Sequence, residues 1–289
     1  MKDIFSGLDD LGFENVDGLN LYGEKDKKEN EPENDFNENS LKDLSHLYDK
    51  KLTCPVCGAS FTVKAIKTSS YRMKGKDSDF FIRYELVNPY FYDVWLCNSC
   101  GYAAMKADFE KIKSFQKDLV KQNITSRWRG RTYTEPYDLA ISIERYKLSL
   151  LNYVYMDAPA SKKAMNCLKL AWMNRLEGDS KMELEYLNQS LKGFNDAYFN
   201  EDFPIYGMDR FTTMYLIGEL NRRIGNGEEA MLWFSKVITT PSVNKRLKEL
   251  ARDQKDLIKC VKSDENKDSS ESYTTSSKKK GFLSSLFTK

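Results

Sequence analysis

Apolar residues in this chain follow two different periods, and the change falls near Pro136. Upstream, short aromatic and β-branched runs, Phe61-Thr62-Val63, Phe80 to Val87 and Tyr90 to Leu96, are punctuated by Gly75-Lys76-Asp77 and Asn88-Pro89, which predicts strands joined by tight turns. Downstream, apolar positions recur every three or four residues, which predicts helices at about 137–155, 160–177, 180–199, 209–224, 228–238 and 244–261. Gly178-Asp179 separates the second of these from the third, and Ser180 with Glu183 and Asn226 with Glu229 have capping-box spacing. The third carries Leu184, Leu187, Leu191, Phe194 and Tyr198 on one stripe, as a partly buried helix should. Between the two regimes Phe109, Ile112, Phe115, Gln116 and Leu119 follow helical spacing, with Lys113, Lys117 and Lys121 as a solvated face.

Both ends depart from these patterns. Residues 1–22 hold an apolar island, Ile4, Phe5, Leu8, Leu11, Phe13, Val16, Leu19, Leu21 and Tyr22, too short to fold alone. It reads as a recruitment peptide for a partner, as a segment that docks back on its own domain, or as simple disorder. Residues 23–43 are a run of Glu, Lys, Asp and Asn, a composition that cannot bury enough apolar surface to offset its ordering entropy, and they read as a flexible linker. Residues 263–289 read as a disordered tail. Its end sets Lys278, Lys279 and Lys280 beside Phe282, Leu283, Leu286 and Phe287, which suits weak attachment to an anionic membrane face or a partner groove; an inert tail is the alternative.

The chemistry lies between these ends. Cys54-Pro55-Val56-Cys57-Gly58 and Cys97-Asn98-Ser99-Cys100-Gly101 are two Cys-X-X-Cys-Gly knuckles, whose two-residue spacers let both sulfurs of a pair converge on one ion. Four thiolates close a tetrahedral coordination sphere, so the expected cofactor is a structural Zn2+ held by Cys54, Cys57, Cys97 and Cys100. A redox or free-thiol role is the alternative reading. His46, the single histidine, precedes the first knuckle without a ligand-like spacing, and its isolation removes most routes to general-base catalysis near neutral pH. Cys167 and Cys260 sit alone in helical patterns and read as buried thiols.

A polar set between the knuckles includes Arg72, Asp77, Asp79 and Asn88, together with Ser69, Ser70 and Tyr92. It is the candidate site for a small polar or anionic ligand; the competing reading is an internal network, Arg72 with Asp79 for instance. Arg127-Trp128-Arg129-Gly130-Arg131 offers guanidiniums beside an indole, a weak nucleic-acid signal, and reads best as a connector with Trp128 packed in an interface.

Composition narrows the classes. The net charge of +2 gives no global drive toward nucleic acid or lipid. No apolar run approaches the roughly 20 residues that span a bilayer, and no secretory signal is visible at Met1, so the expected location is cytoplasmic, with peripheral contact at the inner membrane face as an option.

From Ile217-Gly218 onward, Ala230 falls 12 residues after Gly218 and Phe234 four after Ala230, with Pro241 beyond, which resembles a tetratricopeptide hairpin. Leu170-Ala171, Glu183 and Leu187 echo it at a longer interval, so the repeats would be degenerate; a plain helical bundle is the alternative. The knuckles, Ser70-X-Arg72, Asp77-X-Asp79-Phe80, Asn88-Pro89, Cys100-Gly101-Tyr102-Ala103-Ala104 and Ile217 to Arg223 together resemble the bacterial family known as domain of unknown function 2225, over about residues 46–240. The resemblance implies a cytoplasmic protein with tetratricopeptide-like helices and no established activity.

The expected fold is thus α+β and mostly α: an apolar motif at 1–22, a linker at 23–43, a zinc ribbon at 44–135, helical repeats at 136–262 and a tail at 263–289. The expected role is a zinc-binding adaptor or scaffold that meets an unidentified protein partner through its helical groove or N-terminal motif. A ligand-binding or enzymatic ribbon comes second and nucleic-acid binding third.

Overall fold

In the computed structural model the described residues are 4–14, 16, 19, 21, 22 and 44–274, the side chains as far as residue 260. The linker and the basic end of the tail lie outside them.

Each knuckle forms the tip of an antiparallel hairpin. Strand β1 (Leu47–Thr53) pairs with β2 (Ser60–Ile66), the last pair, Thr53 with Ser60, closing directly onto Cys54. The insert between the knuckles makes its own hairpin from β3 (Met73–Lys76) and β4 (Ile82–Tyr84). Strand β5 (Val94–Leu96) pairs with β6 (Ala103–Met105) across the second knuckle. Among the described residues three two-stranded sheets therefore replace the single small sheet expected of a ribbon. The long apolar runs give only short strands because their aromatics serve packing: Phe81 and Tyr90 converge on Trp172, with ring centroids 5.3 and 5.2 Å away. Pro89 opens a one-turn helix instead of a strand, and the Asn88 side chain caps it by accepting from the Tyr90 amide at 3.1 Å.

Seven α-helices follow among the described residues: α1 (Ser114–Val120), α2 (Leu139–Tyr155), α3 (Ala160–Glu177), α4 (Ser180–Asn200), α5 (Arg210–Arg223), α6 (Gly227–Thr239) and α7 (Lys245–Thr274). Aspartates start three of them: Asp138, Asp179 and Asp209 each accept a hydrogen bond from an amide in the first turn. The cap of α4 is thus Asp179, one residue before the Ser180 that the spacing suggested, and Asn226 makes no side-chain cap bond. Helix α1 begins five residues later than Phe109, because Gln116 turns back to accept from the Lys113 amide at 3.0 Å and fixes the start there. From α2 to α7 each helix packs on the next. Gly218 on α5 lies against α6, where an added Cβ would sit 2.9 Å from the Phe234 ring; only a bare backbone permits this approach.

Two expectations on the last helix change. Leu247, Ala251, Gln254 and Ile258 are its buried stripe, which leaves Cys260 exposed. The helix also runs to Thr274, past the predicted end near 261, since no Gly or Pro interrupts the chain between Asn244 and Gly281.

One apolar core runs from the hairpins into the helices, joining Val56, Val63, Phe81 and Trp95 to Tyr146, Leu150, Phe194 and Phe234. No break in it falls at residue 136. The N-terminal island belongs to the same core, with Phe5, Leu8 and Phe13 wholly buried. Among the described residues no helix is long and apolar enough to cross a membrane.

Candidate metal centre

The glycine that ends each knuckle takes a left-handed φ of +75°, at Gly58 and at Gly101. That turn brings the Gly58 amide to the Cys54 carbonyl at 2.9 Å and the Gly101 amide to the Cys97 carbonyl at 2.8 Å, so the two hairpin tips are near-copies. They face one another. Sγ of Cys54 lies 3.6 Å from that of Cys100, Sγ of Cys57 lies 3.7 Å from that of Cys97, and all four sulfurs fall within 4.8 Å. A tetrahedral ion bonded to sulfur at about 2.3 Å sets its ligands roughly 3.8 Å apart, so the donor set fits a metal in both number and spacing. A disulfide would need about 2 Å, and all four cysteines are free. Hydrogen bonds from Cys100 and Cys54 pull Cys97 far below the ordinary thiol range, while bonding to Cys54 and Cys97 pushes Cys100 far above it. His46 is elsewhere, with Nδ1 3.0 Å from the Ser70 hydroxyl.

The helical stack grips the second knuckle. Helix α2 donates from Asn152 to the Gly101 carbonyl at 3.2 Å and from Arg145 to the Val94 carbonyl at 2.5 Å. Thr125 donates to the Cys100 carbonyl at 2.9 Å. The arginine-rich connector closes over the same knuckle: the Trp128 indole donates to the Asn98 carbonyl at 2.8 Å, and the Asn98 side chain accepts from the Arg131 amide at 2.8 Å. Its guanidiniums are engaged as well, Arg129 with Glu14, Arg131 with Glu144 and Arg127 with the Tyr155 hydroxyl.

The four residues of the candidate polar site separate into three places. Arg72 is exposed, and Asn88 serves as the cap already described. Asp77 and Asp79 do converge, on Arg175 of α3, which donates to them at 2.9 and 2.6 Å and to Glu183 at 2.7 Å. Arg175 thus takes the place foreseen for Arg72. Arg83 adds two more bonds to Asp77, and Arg222 and Arg223 hold the buried Glu219, which also accepts from the Ser78 hydroxyl at 2.6 Å. Four carboxylates meet four guanidiniums, so the network is electrically balanced. Burial alone would raise Asp77, but its bonds to Arg83 and Arg175 outweigh that and hold it below its usual 3.8. Trp172 completes the set by donating to Asp79 at 3.1 Å. Sequence reasoning could not find Arg175, which lies 98 residues from Asp77.

This geometry can be set beside known proteins. The chain is similar to an uncharacterized protein of Borreliella burgdorferi, 22% identical over 150 residues that cover 46% of this chain and 54% of that protein. The chain therefore spans about half the length of this curated relative. No solved structure matches it. The family described as "Uncharacterized protein conserved in bacteria (DUF2225)" matches residues 47–258, a span that takes in both knuckles, the ion network, helices α1 to α6 and the first turns of α7. With well over half its length inside that match, the chain belongs to the DUF2225 family.

Proposed function

We propose that this protein is a zinc-stapled adaptor: the metal fixes the two hairpins, and the tetratricopeptide-like stack carries the surface that meets a protein partner. The observation that carries the first half is the convergence of four cysteine sulfurs within 4.8 Å, a donor set of the kind that fills a tetrahedral zinc site and leaves no position open for substrate. Support for the second half comes from large apolar side chains left in solvent on the stack, Phe199 (72% exposed) and Leu232 (56%), with Trp233 6.5 Å from Phe199 between centroids. The balanced ion network favours this reading over a catalytic insert, because Asp77 and Asp79 are already spent on guanidiniums.

Elemental analysis tests the first half. Protein purified without chelator should hold about one zinc per chain, and Cys57→Ser should retain well under half of that; wild type below half-occupancy contradicts the reading. The second half predicts a stoichiometric protein partner on the immobilised full chain, captured by wild type and lost in Phe199→Asp with Leu232→Asp. Capture that is indifferent to these substitutions contradicts it.

A second reading, a small-ligand protein, is favoured by one cavity of about 180 Å³ lined by Tyr71, Tyr90, Tyr92, Asp93, Trp95 and Lys106. Its carboxylate is engaged by Lys169, at 2.5 Å.

A further inference from the structure

The helical stack already holds a peptide. The described residues between 4 and 22 cross α2, α3 and α4, and the helices take hold of the segment's backbone: Tyr186 donates to the Ile4 carbonyl at 2.6 Å, Lys147 to the Ser6 carbonyl at 2.6 Å and Lys163 to the Leu21 carbonyl at 2.8 Å. Phe5, Leu8 and Phe13 are buried in the core, and the Tyr22 hydroxyl enters a slot over Gly193, where a Cβ would stand 2.1 Å from it. At the other edge Glu14 pairs with Arg129 at 3.0 Å, and Phe13 lies 6.3 Å from Trp128 between centroids. These bonds join residues 115 to 182 positions apart.

Three features make the segment a ligand of the stack more than a part of it. Its only regular element among the described residues is a single turn at Asp9–Leu11, and α2, α3 and α4 hold it through side chains. Every residue that receives it falls within the family match at 47–258, and the segment falls outside. The polar residues 23–43 tie it to the body, and their contour, at most roughly 75 Å, is long enough to reach a neighbouring molecule.

We propose that the face formed by α2, α3 and α4 is a peptide-docking groove, that residues 4–22 are its exchangeable occupant, and that the same segment of a second copy can take their place. This rests on the adaptor reading and names one of its partners. Carbonyl recognition supplies docking that tolerates sequence, and the Phe5, Leu8, Phe13 and Tyr22 sites supply selectivity. A tethered segment competes at an effective concentration on the order of 1 mM, so the intact chain resists exchange at ordinary concentrations.

The test uses the folded full chain with a protease site placed in residues 23–43 and cut after purification. A fluorescent peptide of residues 1–22 is added in excess, and bound label is measured by size exclusion. We expect uptake approaching one peptide per nicked chain, at least tenfold less in the uncut protein, and none with a peptide carrying Phe5→Asp, Leu8→Asp and Phe13→Asp. No uptake by a nicked chain that stays folded, unfolding of the body once the fragment leaves, or equal uptake of the triple-Asp peptide would each overturn the proposal. None of these outcomes bears on capture through Phe199 and Leu232, so failure here leaves the adaptor reading to its own test.

Discussion

Gly58 and Gly101 share a φ of +75°, and the Cys54 and Cys97 amides each reach a carbonyl two residues past the knuckle's second cysteine at 2.9 Å, yet the two knuckles live in different surroundings. Around Gly58 an added Cβ would meet nothing within 4 Å, and Cys57 is exposed. Around Gly101 the same Cβ would stand 2.8 Å from the Trp128 indole, and Asn152, Thr125 and Arg131 bond the knuckle from three directions. The first hairpin meets the body more sparingly, with Val56 and Val63 in the core, Phe61 on Phe109 and the Lys64–Glu135 pair at 3.1 Å. Identical local motifs therefore carry different burdens. The helical stack holds the second knuckle in place, and a metal bound by the four cysteines would hold the first against the second.

The largest effect should come from the ion network, which fastens the insert joining the two knuckles. Arg175→Met leaves Asp79, 0% exposed, without its main partner, and breaking a buried pair in this way costs about 3–5 kcal/mol. Denaturant unfolding of the full chain measures it. Because the insert touches both hairpins, amide exchange should rise in both, and a rise confined to one would break the comparison.

Next come two matched substitutions. Gly58→Ala should cost about 1–2 kcal/mol, the penalty of a left-handed residue with a Cβ. Gly101→Ala carries the same penalty and adds the clash with Trp128, so it should be worse by a further 1–3 kcal/mol, roughly the cost of overpacking. Equal losses in thermal or denaturant melts would mean that Trp128 yields freely and that the second knuckle is not clamped.

Acid gives the smallest effect. Asp77 has a folded pKa below its usual value, so its contribution is fully present above about pH 4 and fades as the pH falls through the lower folded value. Stability measured between pH 5 and 3 should fall less steeply in Asp77→Asn than in wild type, and parallel curves would remove Asp77 from the network.

How much of this was legible in the sequence follows from the range of the forces involved. Knuckles and helices are local: Cys-X-X-Cys-Gly carries its own turn, and five of the six helices predicted beyond Pro136 lie within about two residues of their observed limits because Gly178, Asp209 and similar signals act on adjacent backbone. Asp77 and Asp79 could be singled out, but Arg175 could not, since nothing local ties residues 98 positions apart. Docking of Phe5, Leu8 and Phe13 on the body was one of three readings, and nothing local chose among them: their island has no period of its own, and its place is set by α2, α3 and α4. Strand β1 was missed because Tyr48, Asp49, Lys50 and Lys51 read as polar surface, and three of them are in fact exposed, including Tyr48.

Hydrogen exchange of the full chain, followed by mass spectrometry before and after chelation, tests the unequal knuckles most directly. The account predicts that metal removal strips protection from residues 47–66 and leaves 94–105, with α2 behind them, largely protected. Equal loss in both hairpins, or no change in either, would contradict it.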